Sequence, residues 1–98
     1  HITGGGIPGN LVRVLGEGVC AVLDRSSWEV PPVFGAIENS GVGDEEMLRT
    51  FNMGLGMVVI VAEADASACV QALEREGLEG MVVGSVQERP EGGAAVQL

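Results

Sequence analysis

The chain opens on the stretch with the clearest chemical potential, His1-Ile2-Thr3-Gly4-Gly5-Gly6, set just ahead of a helix-like segment. Consecutive glycines let backbone N–H groups approach a ligand closely, and successive N–H groups in a turn form a concavity suited to an anion. The start of a following helix favours negative charge as well. A phosphate is the natural guest. No Gly-Lys-Ser/Thr ends the run, so it is not a Walker A loop. The residues alone leave a second reading open, in which the triplet is a flexible connection or Gly5 and Gly6 serve only positive φ.

A second candidate is Arg49-Thr50-Phe51-Asn52-Met53-Gly54-Leu55-Gly56-Met57, which runs into an apolar segment. On an extended strand Gly54 and Gly56 share one face, which opens a shallow floor there. Asn52 has the same parity and presents an amide to that floor. The competing reading is a strand packed tightly against a helix. A third stretch, Asp24-Arg25-Ser26-Ser27-Trp28-Glu29-Val30-Pro31-Pro32, reads as a rigid loop whose indole covers the edge of the core. His1 is the only histidine, so no Ser-His-Asp set closes within the chain. Glu45-Glu46 reads as a helix-start charge pair. Cys20 and Cys69 lie far apart in apolar surroundings and read as free thiols. No metal site is expected.

Several elements must position these groups. Leu11, Val12, Val14 and Leu15 predict a short helix over residues 8–15, with Pro8 in its first turn and Gly16 and Gly18 ending it. Residues 19–23 predict a buried strand. Pro31 and Pro32 introduce a helix over 33–39, and Asp44-Glu45-Glu46 begins another through Arg49. Residues 55–62 predict the central strand, apolar on both faces and so covered on both. Ala66, Cys69, Val70 and Leu73 follow helical spacing within 65–76, with Gly77 as the stop. Strands are expected over 81–86 and 94–98. The predicted class is α+β: a mixed sheet with helices on both faces (α/β/α layers), in which residues 55–86 form a right-handed βαβ unit. With so few strands the sheet is expected to be incomplete, and self-association or a covering chain is expected over its central strand.

Bulk composition narrows the function classes. The chain has 98 residues, of which 46% are apolar, yet Trp28, Phe34 and Phe51 are its only aromatics. A chain this short buries only about 60–65% of its unfolded surface and is marginal alone. With 14 acidic against 5 basic residues and a net charge of −9, it repels phosphate backbones and anionic lipid. No nucleic-acid or membrane partner is expected. Neither a long apolar span nor a leader-like start is evident, so a soluble, cytoplasmic protein is expected.

Three stretches, in this order and with these gaps, resemble the family of phosphoribosylformylglycinamidine cyclo-ligase, also called aminoimidazole ribonucleotide synthetase. They are residues 1–6, followed by Pro8, Asn10, Leu11 and Arg13-Val14-Leu15; Ser26-Ser27-Trp28 with Pro31-Pro32-Val33-Phe34; and residues 47–57. The run Arg49-Thr50-Phe51-Asn52-Met53-Gly54 with Gly56-Met57 is the most specific. The likeness extends over nearly all the chain and is weakest after Glu88. Gly9 stands where the family pattern has Glu, and Gly16 where Pro is usual.

The resemblance implies that residues 1–98 are the later part of the carboxy-terminal domain of a two-domain homodimeric ligase. Its amino-terminal ATP-binding domain would lie outside them and bind most of the ATP and Mg²⁺. The reaction implied is purine biosynthetic: ATP activates the formyl-amide oxygen of formylglycinamidine ribonucleotide, and the amidine-derived nitrogen closes the ring, releasing ADP and phosphate. The chain alone is then expected to be inactive, and to form one wall of the substrate cleft. Thr3, Gly4, Gly5 and Gly6 would bind a phosphate, either the substrate's ribose 5′-phosphate or one of ATP. His1 and Asn52 would face the substrate, His1 as the candidate catalytic group, with Gly54 as the floor. From a different class, a non-catalytic αβ module binding a ligand or protein through its uncovered sheet is the alternative.

Overall fold

The computed structural model describes residues 1–98. Its sheet is built on β1 (Val19–Leu23), the strand that the apolar run predicted. β1 is central because both its edges are paired: β2 (Gly84–Glu88) lies antiparallel, with Val19 opposite Glu88 and Leu23 opposite Gly84. On the other edge β3 (Val96–Gln97) runs parallel, with Ala21 opposite Val96. The order is β2-β1-β3. The class is α+β with a small mixed sheet, as expected, and the sheet is incomplete.

Four helices accompany it. α1 (Gly6–Leu11) turns Ile7 and Leu11 into the core. It is shorter than the helix expected over 8–15, because the chain tightens after Leu11: Arg13 and Val14 donate to Asn10 and Leu11, three residues back. α2 (Pro32–Asn39) starts on Pro32, whose missing N–H costs nothing in a first turn. α3 (Asp44–Thr50) has three acidic residues in its first turn and Arg49 in its last, each favourable to the helix dipole, and it buries Met47 completely. α4 (Ala66–Arg75) follows a 3-10 turn over Glu63–Asp65 and buries no residue fully. The core is small: Ile2, Ile7, Leu11, Ala21, Leu23, Trp28 and Leu55. No helix is long and apolar enough to cross a membrane.

Two expectations are corrected. Residues 55–62 form no strand, although Val58, Val59, Ile60 and Val61 are the strongest strand formers in the chain. A strand exists only by pairing, and the sole ladder-like bond here is from the Ile2 N–H to the Gly56 carbonyl, at 3.0 Å. Met57 and Val59 are consequently 56% and 54% exposed. The strand expected over 81–86 begins at Gly84 and pairs antiparallel to β1, so no right-handed βαβ unit forms. The stripe of α4 carrying Cys69, Val70 and Leu73 instead faces a cavity of about 700 Å³, lined also by Leu23, Val58 and Val83.

One ion pair staples the loop after β1 to α3. Arg25 reaches Asp44 with both guanidinium nitrogens, Nη2 to Oδ1 at 2.9 Å and Nη1 to Oδ2 at 3.1 Å. That hydrogen bonding holds the Asp44 carboxyl below its usual value of 3.8. A carboxyl depressed in the folded state contributes stability above the unfolded value, and the contribution is lost as pH falls through the lowered one. Both side chains are about half exposed, so the pair is worth at most about 1 kcal/mol. Asp44→Asn is therefore expected to lower the denaturation midpoint at pH 7. The difference should close in acid below the ordinary carboxylate range, and a midpoint series from pH 7 to pH 3 checks it.

Candidate functional site

The glycine turn is held by contacts on three sides. Ile2 is buried in the core and its N–H bond to Gly56 fixes where the turn begins. Gly6 N–H donates to the Thr3 carbonyl at 3.1 Å, closing the turn over Thr3 to Gly6. Gly6 itself, at φ +67°, sits against α3: a Cβ there would overlap the Leu48 carbonyl oxygen and stand 3.0 Å from that of Phe51. Glycine at position 6 is thus demanded by the close approach of two helix ends. Position 4 is different. Gly4 has ordinary φ and nothing within 4 Å of where its Cβ would be, so the fold does not require glycine there.

Asn10, on α1 and only 7% exposed, reaches back into the turn. Its Nδ2 donates to the carbonyls of Thr3 (3.1 Å), Gly4 (3.3 Å) and Gly6 (2.7 Å), and its Oδ1 accepts from Thr3 Oγ1 at 3.1 Å. The turn's carbonyl oxygens are therefore engaged by the protein, while the N–H groups of Gly4 and Gly5 have no partner within it. The Thr3 hydroxyl spends its proton on Asn10, so Thr3 offers an outside anion only its backbone N–H.

The second motif begins at the end of α3. Residues 52–55 make a tight turn closed by Leu55 N–H to the Asn52 carbonyl at 3.0 Å. Both central residues have positive φ, 55° at Met53 and 100° at Gly54, the type I′ pattern. Asn52 Oδ1 accepts from the Gly54 N–H at 2.8 Å, which leaves the Asn52 amide protons for other partners. The left-handed Met53 is uncommon for a non-glycine residue. It is fastened by the indole of Trp28, whose Nε1 donates to the Met53 carbonyl at 3.0 Å. Trp28 is buried in the core cluster, in keeping with the reading of its loop as a rigid cover. Gly54 is placed differently from the open floor expected of it: the position of its missing Cβ is 2.5 Å from Pro31 Cδ, so it serves packing on the proline loop. Residues 52–55 turn instead of extending, so Gly54 and Gly56 do not share a strand face.

These two motifs meet at a pocket of about 320 Å³ lined by Thr3, Gly4, Phe34, Thr50, Phe51 and Asn52, with Ile2 behind. Of the expected site residues Thr3, Gly4 and Asn52 come together here. Gly5 and Gly6 continue the turn into α1, Gly54 lies against Pro31, and His1 is exposed at the chain start without lining the pocket. Sequence reasoning missed Phe34 and Phe51, whose rings pack in a tilted pair, 5.9 Å between centroids and 58° between planes, to form an apolar side. Their signal was rarity, since they are the only phenylalanines in the chain. Glu45 and Glu46 stay outside: Glu46 pairs with Arg49 at 3.2 Å and accepts from Thr50 Oγ1, as a helix-surface residue does. Cys20 and Cys69 are free thiols. No three His, Cys, Asp or Glu side chains converge as a metal ion would need.

Chemically, the arrangement offers N–H donors, one side-chain amide and an aromatic wall. No acid–base pair stands in it. The family profile described as "AIR synthase related protein, C-terminal domain" matches residues 1–97. A phosphoribosylformylglycinamidine cyclo-ligase of Anaeromyxobacter dehalogenans (strain 2CP-C) is 46% identical over 99 residues, covering 100% of this chain. The cyclo-ligase of Cupriavidus taiwanensis is 47% identical over 95 residues, covering 96%. The chain spans only 29% and 27% of the lengths of these two relatives.

Proposed function

The chain belongs to the family of AIR synthase related protein C-terminal domains, and from that membership we propose that it forms one wall of the substrate cleft in a cyclo-ligase of purine biosynthesis. The substrate is formylglycinamidine ribonucleotide, the co-substrate ATP, and the product aminoimidazole ribonucleotide. What supports this reading most is the meeting of Thr3 and Gly4 with Asn52 at one pocket, although the last two lie 48 positions apart in the chain. The unpartnered N–H groups of Gly4 and Gly5 receive a phosphate, Asn52 offers amide protons to the substrate's polar end, and Phe34 with Phe51 limits water on the apolar side. ATP and Mg²⁺ binding fall to the remainder of a longer polypeptide, which acts as a homodimer. The exposed run from Met57 to Val61 and the cavity beside α4 fit a chain completed by that remainder.

Gly4→Val tests the phosphate role without disturbing the fold, since the added side chain enters open space. In the full-length enzyme its branched side chain is expected to crowd a phosphate approaching the backbone N–H groups and to raise KM for one phosphate-bearing substrate about 10- to 100-fold, equivalent to one charge-assisted hydrogen bond of roughly 1.5–3 kcal/mol. Thermal stability should stay within about a degree. Whichever KM moves, that of the ribonucleotide or of ATP, identifies the phosphate. If neither moves, the turn does not hold one.

A further inference from the structure

We propose that Asn10 is a positioning residue for substrate binding: its amide locks the carbonyl oxygens of the glycine turn inward and so presents the N–H groups of Gly4 and Gly5 to the substrate phosphate. The inference rests on the phosphate reading above. A glycine triplet has the widest backbone freedom of any sequence, and peptide units within it rotate readily, exchanging the faces of C=O and N–H. Left to itself, such a turn offers an anion carbonyl oxygens about as readily as N–H groups. Asn10 removes that choice.

The bonds show how. One Nδ2 group is shared by three carbonyls, those of Thr3, Gly4 and Gly6, and the Thr3 hydroxyl caps Oδ1. The hydroxyl also fixes which end of the amide is which, because Oδ1 must face a donor and Nδ2 the acceptors. The carbonyl oxygens of Thr3 and Gly4 belong to the peptide units that supply the N–H groups of Gly4 and Gly5. Holding those oxygens on the Asn10 side turns the corresponding N–H groups away from it. Asn10 itself is buried and is not among the residues lining the pocket at the turn, so it acts through the turn and does not touch the ligand.

Asn10→Asp in the full-length enzyme is the test. The aspartate keeps the size and still accepts from Thr3, but above its own titration it has no proton to give and it repels all three carbonyls. The ribonucleotide or ATP KM that responds to Gly4→Val is expected to rise at least tenfold at pH 8, with kcat within about twofold. As pH falls and the carboxyl takes up a proton, the ratio of variant to wild-type KM should shrink, because a neutral carboxyl donates one bond again. Asn10→Gln, which retains both donors, should lie between the two. A loss confined to thermal stability, or a fall in kcat at unchanged KM, would overturn the proposal. If the aspartate variant does not fold, Asn10→Ala, which adds no charge, is read in the same assay with the same expected KM rise. Gly4→Val raising KM while the Asn10 variants leave it alone removes the positioning role only, and a silent Gly4→Val removes the phosphate site itself.

Discussion

Gly6→Ala is expected to destabilise the protein by about 2–5 kcal/mol, a large effect for a single methyl group. Two costs add. An L-residue in the left-handed region costs roughly 1–2 kcal/mol, and Gly6 sits there at φ +67°. Overpacking a close contact costs roughly 1–3 kcal/mol and occasionally more. Here the obstacles are backbone atoms: the carbonyl oxygens of Leu48 and Phe51 and the carbonyl carbon of Arg49, which cannot swing aside as a side chain does. The only relief is to push α1 away from α3, which also parts Thr3 and Gly4 from Thr50, Phe51 and Asn52 and spoils the pocket. Urea denaturation should show a midpoint shifted strongly down. A midpoint within experimental scatter of the wild type would mean that the two helices are not in contact at Gly6.

Trp28→Ala is the second large effect, about 3–5 kcal/mol as for other buried large-to-small changes. Trp28 fills the core edge and, through Nε1, satisfies the Met53 carbonyl. Trp28→Phe separates the two contributions. It retains most of the packing but strands a buried carbonyl, for a cost of roughly 1–3 kcal/mol. Since Met53 stands at φ 55° and is held by that bond, the turn over 52–55 should loosen in the phenylalanine variant. Asn52 would then drift, so substrate KM should rise more than the stability loss alone explains. Equal stability of wild type and Trp28→Phe would show that Met53 needs no such fastening.

Much of the local structure could be read from the residues. β1 matched its predicted range because a short β-branched run with turns at both ends specifies a strand locally, and α2 and α3 began where Pro32 and the acidic triplet place them. Residues 55–62 were misread for a nonlocal reason: apolarity reports that a segment wants cover, and pairing depends on which backbones are present to cover it. The same limit moved the strand over 81–86 to Gly84–Glu88, since Val19 to Leu23 supplied its only available ladder. At the site, the glycine turn and Asn52 were recognisable from residue type. The Phe34–Phe51 pair and the Asn10 clamp were not, because a lone Phe and a lone Asn acquire roles only when α1, α2 and α3 converge. Gly54 was misassigned because parity arguments assume an extended chain, and positive φ at two consecutive residues breaks it.

The phosphate role of the glycine turn is tested most directly by a crystal structure of the full-length enzyme with the ribonucleotide substrate and an ATP analogue bound. A phosphate oxygen is expected within about 3 Å of the Gly4 and Gly5 backbone nitrogens, with the Asn10 bonds to the turn carbonyls intact. Both ligands bound elsewhere, with the turn bare or its carbonyls facing outward, would contradict it.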